Sequence, residues 1–412
     1  MSDSLIFVHQ YFFPEYAGSA QQLTDLTRGL CDRGYQVQVV TGQPSYSVDG
    51  RWPKKENVHG VEVHRVRKIQ SSRNTALGRI LSATSFFLAA FLKLLWMDHR
   101  ALLVVGSDPP FLPLLGWFFS KFFGQSYILI VSDIYPDIAT ALGELDSKGW
   151  IARTLGASNR LAYARAERIV VLGENMAERL RGKLRGKGND GKIQVIHNWA
   201  DGDFIKPIAK SENRFCIKHK LLNRLVVLFS GNLGKIYNFE DVRQAAHALS
   251  HDAGVQFLFI GNGPVRKTFE AQVMADALTN IQFLPYQPSE ELPFSLTCAD
   301  LVLISLKKEA ADLCVPGKLY YALAAGIPLL VIGPLDSEPA EIVSRYDCGW
   351  NISSGDIDSL SRLLAKLAKG PILLKEKSKK ARLCFETRFT RQRAIDEYDS
   401  LFSQLDGRNL KI

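Results

Sequence analysis

Two glycine-marked turns and one lysine are where this chain has residues of the right type and spacing for chemistry. The first turn follows the apolar run Leu5-Ile6-Phe7-Val8, passes through Pro14-Glu15-Tyr16-Ala17-Gly18, and leads to Leu23, Leu26 and Leu30 at helical spacing. The second follows Val226-Val227-Leu228-Phe229, passes through Ser230-Gly231-Asn232-Leu233-Gly234-Lys235, and is expected to enter a helix in the same way. In such a turn glycine lets a ligand approach the backbone, and the helix start offers unpaired N–H groups and a positive dipole end to an anion. The lysine lies in Val315-Pro316-Gly317-Lys318-Leu319-Tyr320-Tyr321, where Pro316 and Gly317 open a helix of little more than two turns that Gly326 and Pro328 close. In a first helical turn Lys318 opposes the helix dipole, a placement that makes sense beside a bound anion. Together the three features point to a phosphate-bearing ligand between two Rossmann-like halves. Taken singly each has a plainer reading, since glycines are ordinary at such turns and a lysine on a core helix can snorkel to solvent.

The elements that must position these residues alternate along the chain. Apolar β-branched runs at Val37–Thr41, Leu102–Val105, Tyr127–Val131, Arg168–Leu172 and Ile193–Ile196 are separated by helical patterns, and the scheme repeats at Leu225–Ser230, Val255–Ile260, Ile281–Leu284, Leu301–Ser305 and Pro328–Ile332. Continuous apolar strands alternating with helices predict parallel sheets covered on both faces, hence an α/β protein of two doubly wound, Rossmann-like domains facing across a cleft. The pattern breaks after His197-Asn198-Trp199-Ala200-Asp201-Gly202-Asp203, which sets domains at residues 1–202 and 203–389, with a helix over about 390–412 packing back on the first. Ligands of such sheets bind at the carboxyl ends of the strands.

At 412 residues the chain is long enough for two cores, and 46% hydrophobic with 23% charged residues excludes a disordered protein. The six cysteines show no metal-ligand or redox spacing, and Met1-Ser2-Asp3-Ser4 leads straight into a strand without the pattern of a secretion signal, so a cytoplasmic location is expected. The net charge of +9 concentrates between Lys148 and Lys192, where eleven Lys/Arg face four acids. Such a stretch suits an anionic lipid surface, an anionic substrate or plain solvation, while nucleic acid is disfavoured because no zinc-finger, RNP-like or basic-zipper pattern accompanies it. Two apolar runs, Ile80–Leu92 and Phe111–Phe123, precede it. The first is too short to span a bilayer and reads either as a core helix or as one lying on a membrane surface.

The chain resembles the retaining glycosyltransferases of family 4 with the GT-B fold, of the exopolysaccharide type that builds colanic acid and O-antigen. The resemblance rests on Tyr11-Phe12-Phe13-Pro14-Glu15-Tyr16-Ala17-Gly18, Arg33-Gly34-Tyr35-Gln36-Val37, Ser132-Asp133-Ile134-Tyr135-Pro136-Asp137, Asn198-Trp199-Ala200-Asp201, Ser230 to Lys235 and Pro316-Gly317-Lys318-Leu319-Tyr320. These run in the family order over nearly the whole chain.

The resemblance implies a UDP- or GDP-sugar donor held by the C-terminal domain and a polyprenyl-diphosphate-linked saccharide acceptor held by the N-terminal one, at the inner face of the plasma membrane. It places Gly231, Asn232, Lys235, Gly317 and Lys318 around the donor diphosphate, with Gly18 approaching from the other domain and no metal or other cofactor required. Lys235 and Lys318 would stabilise the departing diphosphate. Asp133 stands where many relatives carry a histidine beside the reacting sugar, with helix capping as its alternative role and Asp137 as the competing carboxylate; Tyr135 and Asp137 fall on the acceptor side. Two glutamates common in relatives are replaced by Leu313 and Tyr321, the latter still expected near the donor, and Glu309 is a nearby carboxylate for donor hydroxyls. The diphosphate-gripping Arg and Lys of many relatives fall on Asn232 and Asn238. These departures keep open a catalytically silent GT-B protein that assists another transferase, and a GT-B nucleotide-sugar epimerase. Asp201-Gly202-Asp203 superficially matches a metal-binding D-x-D but reads as a turn.

Overall fold

A computed structural model describes residues 4–15, 18–44, 52–69, 75–184, 191–250, 254–370 and 372–409. Tyr16 and Ala17 of the first turn, and Arg185, Lys187 and Asp190 of the basic stretch, lie outside the described residues. The chain divides into two compact units, Met1–His197 with Arg391–Ile412, and Asn198–Thr390.

The first unit contains β1 (Ser4–Val8), β2 (Gln36–Gly42), β3 (Lys55–Val58), β4 (Val61–Val66), β5 (Leu102–Gly106), β6 (Tyr127–Val131), β7 (Arg168–Val171) and β8 (Ile193–Val195), in sheet order β3-β4-β2-β1-β5-β6-β7-β8. All neighbours are parallel except β3 with β4. The expected strands are present, but β3 and β4 were not anticipated. Their Lys, Glu, His and Arg residues break the continuous apolar signature, because β3 is an edge strand that need not be covered on both sides. The C-terminal helix Arg391–Asn409 belongs to this unit: Ile395 occupies the space a Cβ on Gly29 would need, Arg33 pairs with Asp396, and Tyr35 Oη donates to Asp399 Oδ1 at 2.7 Å.

The apolar run Ile80–Leu92 lies in a longer helix, Ala76–Leu94. By length and composition alone that helix is long enough to cross a membrane, contrary to what the uncharged run suggested, because it continues past Arg79 and Lys93. Its inner face buries Phe86, Ala90 and Leu94, and Phe87 and Phe91 meet Phe111 and Phe118 edge-on at 5.4 and 4.9 Å. Its outer face presents Leu77, Leu81, Leu88 and Leu92, all exposed, at helical spacing. Only 22% of the Leu77–Leu94 window is buried, so this is not an ordinary core helix.

The second unit is a six-stranded parallel sheet of β9 (Leu225–Ser230), β10 (Val255–Ile260), β11 (Ile281–Leu284), β12 (Leu301–Ser305), β13 (Leu329–Ile332) and β14 (Gly349–Ile352), ordered β11-β10-β9-β12-β13-β14. The short, half-exposed edge strand β14 escaped the sequence pattern. Phe229, Phe239, Phe259, Phe269 and Phe283 form a continuous aromatic cluster with ring centroids 4.9–5.7 Å apart. Phe229, Phe239, Phe259 and Phe269 are buried, and burial of each contributes about 2–3 kcal/mol beneath the β9 turn. In each sheet the chain winds outward in both directions from its first strand, so the order reverses between β1 and β5 and between β9 and β12. The carboxyl ends at those two places are where an open α/β sheet leaves room for a ligand.

Candidate functional site

At the switch point of the second unit, β9 and β12 stay paired only at Leu301 with Val227 and Val302 with Leu228, and then part. The turn after β9 fills the opening. Tyr237 bridges Leu306, Lys307 N donates to Ile236 O at 2.9 Å, and Ser305 Oγ donates to Asn238 O. The turn therefore does not open directly into a helix: Gly231 to Phe239 form a loop, and the next helix, Glu240–Ala248, starts only at Glu240, whose N–H Asn238 Oδ1 accepts at 3.1 Å. The expected passage from Lys235 straight into a helix is thus corrected, the parting of β9 and β12 leaving a gap that the extra loop residues fill.

Gly231 adopts φ +121, which side chains disfavour, and a second glycine turn packs onto it. Gly261 and Gly263, after β10, have φ +136 and +157; a Cβ on Gly261 would collide with Gly231 O, and one on Gly263 would lie 2.5 Å from Leu233 O. Leu233 N donates to Asn262 O at 2.8 Å. Two interlocked glycine turns therefore present backbone at the carboxyl ends of β9 and β10. Sequence reasoning missed Gly261-Asn262-Gly263, although its place right after an apolar strand was the available signal.

Lys318 is the first residue of the Lys318–Ala324 helix, with Gly317 at its N-cap and Gly326 at φ +67 just beyond it. Its Nζ lies 2.9 Å from the Phe229 ring centroid and 4.2 Å from that of Tyr237, and its Cε is 3.9 Å from where a Gly231 Cβ would stand. The residue is half-buried, yet Nζ is out of solvent and has no hydrogen-bond partner among the described residues. Burial holds its pKa well below the ordinary lysine value. An ammonium with three donors and no acceptor, set beside a glycine turn, is poised for an anion. Asn232 and Lys235 are exposed in the loop after β9, Glu309 is exposed ahead of the Lys318 helix, and Tyr321 is half-exposed on that helix.

The first unit has its own cluster at the β1/β5 switch point. His9 follows β1, Asp108 follows β5 and Asp133 follows β6. His9 Nδ1 lies 2.9 Å from Tyr11 O, its ring fills the space beside Gly106, and Ser132 N donates to Ser107 Oγ at 3.0 Å. Burial raises the Asp133 pKa from 3.8 to about 7, with the Asp108 charge adding to the effect. Burial lowers that of His9, against the pull of Asp108. The sequence pointed to Asp133 but not to His9 or Asp108, whose link to it is made only by sheet order. Gly18 begins the Gly18–Cys31 helix with nothing within 4 Å of a would-be Cβ.

Other expected residues fall elsewhere. Asp137 receives Arg179 at 3.0 Å and also Lys183, and Tyr135 O accepts from Asn159 Nδ2 at 3.1 Å. Asp201 Oδ1 accepts from Asp203 N at 2.9 Å and Phe204 N at 3.1 Å, closing a turn in which Gly202 abuts Phe385. Among the described residues no cluster of three or more His, Cys, Asp or Glu is placed to hold a metal.

Comparison with known proteins bears on both units. Residues 17–199 match the glycosyl transferase 4-like domain and residues 211–383 the glycosyl transferases group 1 domain. The chain is 25% identical over 302 residues to the probable glycosyltransferase WbjE of Pseudomonas aeruginosa, covering 73% of this chain and 74% of that one. It is 25% identical over 352 residues to the putative colanic acid biosynthesis glycosyl transferase WcaI of Escherichia coli K12, covering 81% and 84%. Among solved structures, Anabaena Alr3699/HepE in complex with UDP-glucose superposes with a TM-score of 0.69 at 15% identity, over 97% of this chain and 99% of that one. That last likeness is one of fold.

Proposed function

Because the chain belongs to the glycosyltransferases of family 4, carrying both the 4-like and the group 1 domain, we propose that it moves a hexose or hexose derivative from a UDP- or GDP-sugar to a polyprenyl-diphosphate-linked saccharide during cell-surface polysaccharide assembly. The observation that carries this reading is the buried, partnerless Nζ of Lys318 beside the Gly231 turn. Support also comes from the UDP-glucose bound by the Anabaena protein of the same fold and from the colanic acid assignment of WcaI.

On this reading the C-terminal unit binds the donor. The bond between the anomeric carbon and the diphosphate oxygen breaks, the acceptor oxygen bonds to that carbon with retained configuration, and the acceptor proton passes to the departing phosphate. Negative charge grows on the diphosphate, where Lys318, the Gly231 turn and Lys235 supply positive potential in place of a metal. Asp133 steadies the positive charge that develops on the sugar or holds one of its hydroxyls.

The acceptor is lipid-linked, and the first unit offers a surface for a membrane. Besides the exposed row Leu77, Leu81, Leu88 and Leu92, the same unit exposes Phe122 and Phe123, with Trp96 88% and Trp150 76% exposed. Arg79, Lys121, Lys148, Arg153 and Arg160 are exposed on the same unit. Exposed apolar residues and cations on one unit suit an anionic lipid leaflet, and this supports our reading that the protein works at the inner face of the plasma membrane.

The test is transfer itself. Labelled UDP- and GDP-sugars are incubated with the full chain and a membrane extract containing lipid-linked saccharides, and the label in the lipid phase is measured, with the anomeric configuration read by NMR. Labelled, retained product from one donor is expected. Nucleotide binding without transfer would replace this reading with the silent-assistant one, and sugar isomerised or freed without acceptor would replace it with the epimerase.

A further inference from the structure

A pair of part-exposed aromatic rings in the first unit is fixed with unusual care. Phe13 is 37% exposed and meets Trp52 with ring centroids 6.3 Å apart at 80°, so the two form a corner of floor and wall. Trp52 is held by both of its backbone groups: its N–H donates to Gln43 Oε1 at 3.2 Å and its carbonyl accepts from Gln43 Nε2 at 3.1 Å. Arg65 is 3% exposed, and it spends its guanidinium on the same two segments. Nη2 donates to Phe13 O at 2.8 Å and Nη1 to Pro53 O at 3.4 Å, while the group pairs with Glu56 and lies 5.6 Å from the Trp52 ring.

A buried arginine is costly, and rings that merely fill a core need no such scaffold. Locking side chains that remain open to solvent is what a binding site requires, since it removes the ordering cost from the binding step. A polar group completes the corner. The His59 ring lies 6.4 Å from Phe13, and His59 sits at φ +52 ahead of Gly60 at φ +89 in the β3–β4 turn. Asn or Asp is the ordinary residue at that first left-handed position. Histidine there gives up backbone preference and sets an imidazole at the edge of an aromatic floor.

Two aromatic faces at a right angle with a hydrogen-bonding rim fit a ring that is apolar on its C–H face and hydroxylated around its edge. We propose that Phe13 and Trp52 form a stacking platform for a sugar ring of the acceptor, with His59 reading a hydroxyl. This rests on the transferase reading and names the groups that would select its acceptor.

The test uses the full chain and, as probe, the oligosaccharides released by mild acid from a host lipid-linked pool, followed by saturation-transfer NMR. In the unmodified protein, saturation is expected on the C–H protons of one sugar face. Phe13→Ala and Trp52→Ala should each weaken binding at least about tenfold. Trp52→Phe should restore most of it, and His59→Asn, which keeps the turn, should weaken it less. UDP or GDP affinity should be unchanged in all four, which separates a failure of the platform from a failure of the donor site. Equal saturation in the unmodified protein and both alanine variants, or none in the unmodified protein, would overturn the platform. So would loss of binding to bare prenyl-diphosphate micelles alone, which would assign the rings to the lipid.

Discussion

Lys318 Nζ sits 2.9 Å from the ring centroid of Phe229, a residue of β9, and makes no hydrogen bond among the described residues. Cation–π attraction offsets part of the desolvation but leaves three N–H donors unsatisfied. Burial accordingly depresses its pKa. A bound diphosphate would supply the missing acceptors and restore the charged form.

Nucleotide binding should therefore draw in a proton. Titrating UDP or GDP by calorimetry at pH 8.5, in buffers of different ionisation enthalpy, should give heats that depend on the buffer, and Lys318→Met should abolish that dependence. The same variant should keep or gain thermal stability, since it removes a buried polar amino group that has no hydrogen-bond partner among the described residues.

Asp133 gives a prediction with a definite sign. Its native pKa is raised from 3.8 to about 7, so the folded chain holds a proton that the unfolded chain gives up. That contribution to stability is complete below the unfolded value and is lost as pH rises through the folded one. Thermal melts should show Asp133→Asn gaining on the parent protein between pH 4 and pH 8. With the carboxylate as the working form, kcat/KM should rise through a midpoint near 7, and Asp108→Asn should move that midpoint to lower pH by removing a neighbouring negative charge.

The interlocked glycine turns should tolerate no side chain. Gly261→Ala sets a Cβ against Gly231 O, and a destabilisation on the order of 3 kcal/mol is expected in denaturant melts, together with loss of nucleotide binding. Gly18→Ala meets nothing within 4 Å and should leave stability unchanged. A fall in kcat/KM without a fall in melting temperature would then mark Gly18 as a point of ligand approach.

The exposed leucine row should control membrane association. Leu81→Glu with Leu88→Glu should cut sedimentation with anionic vesicles more than tenfold and leave the melting temperature intact, because both side chains are already exposed. Added salt should weaken binding to anionic vesicles, with little effect on neutral ones.

The sequence made legible what depends on local pattern. Apolar runs such as Tyr127–Val131 announced buried parallel strands, and Pro316, Gly317 and Gly326 bracketed a short helix. It was silent where a residue's meaning comes from a distant partner. Asp108 and Asp133 lie 25 positions apart and meet because β5 and β6 are neighbours in the sheet. Gly261 matters because its turn packs on that of Gly231. The Lys55–Val58 edge strand has no apolar signature to read, and whether Ala76–Leu94 faced core or solvent was decided only by what packs on it.

The most direct test of the central claim is calorimetric titration of UDP and of GDP into the full chain, repeated with Lys318→Ala. One nucleotide should bind clearly more tightly than the other, and the substitution should weaken it by roughly ten- to a hundredfold or more. Binding that Lys318→Ala leaves unchanged, or no binding of either nucleotide, would contradict the assignment of the donor diphosphate to the Gly231 turn and Lys318.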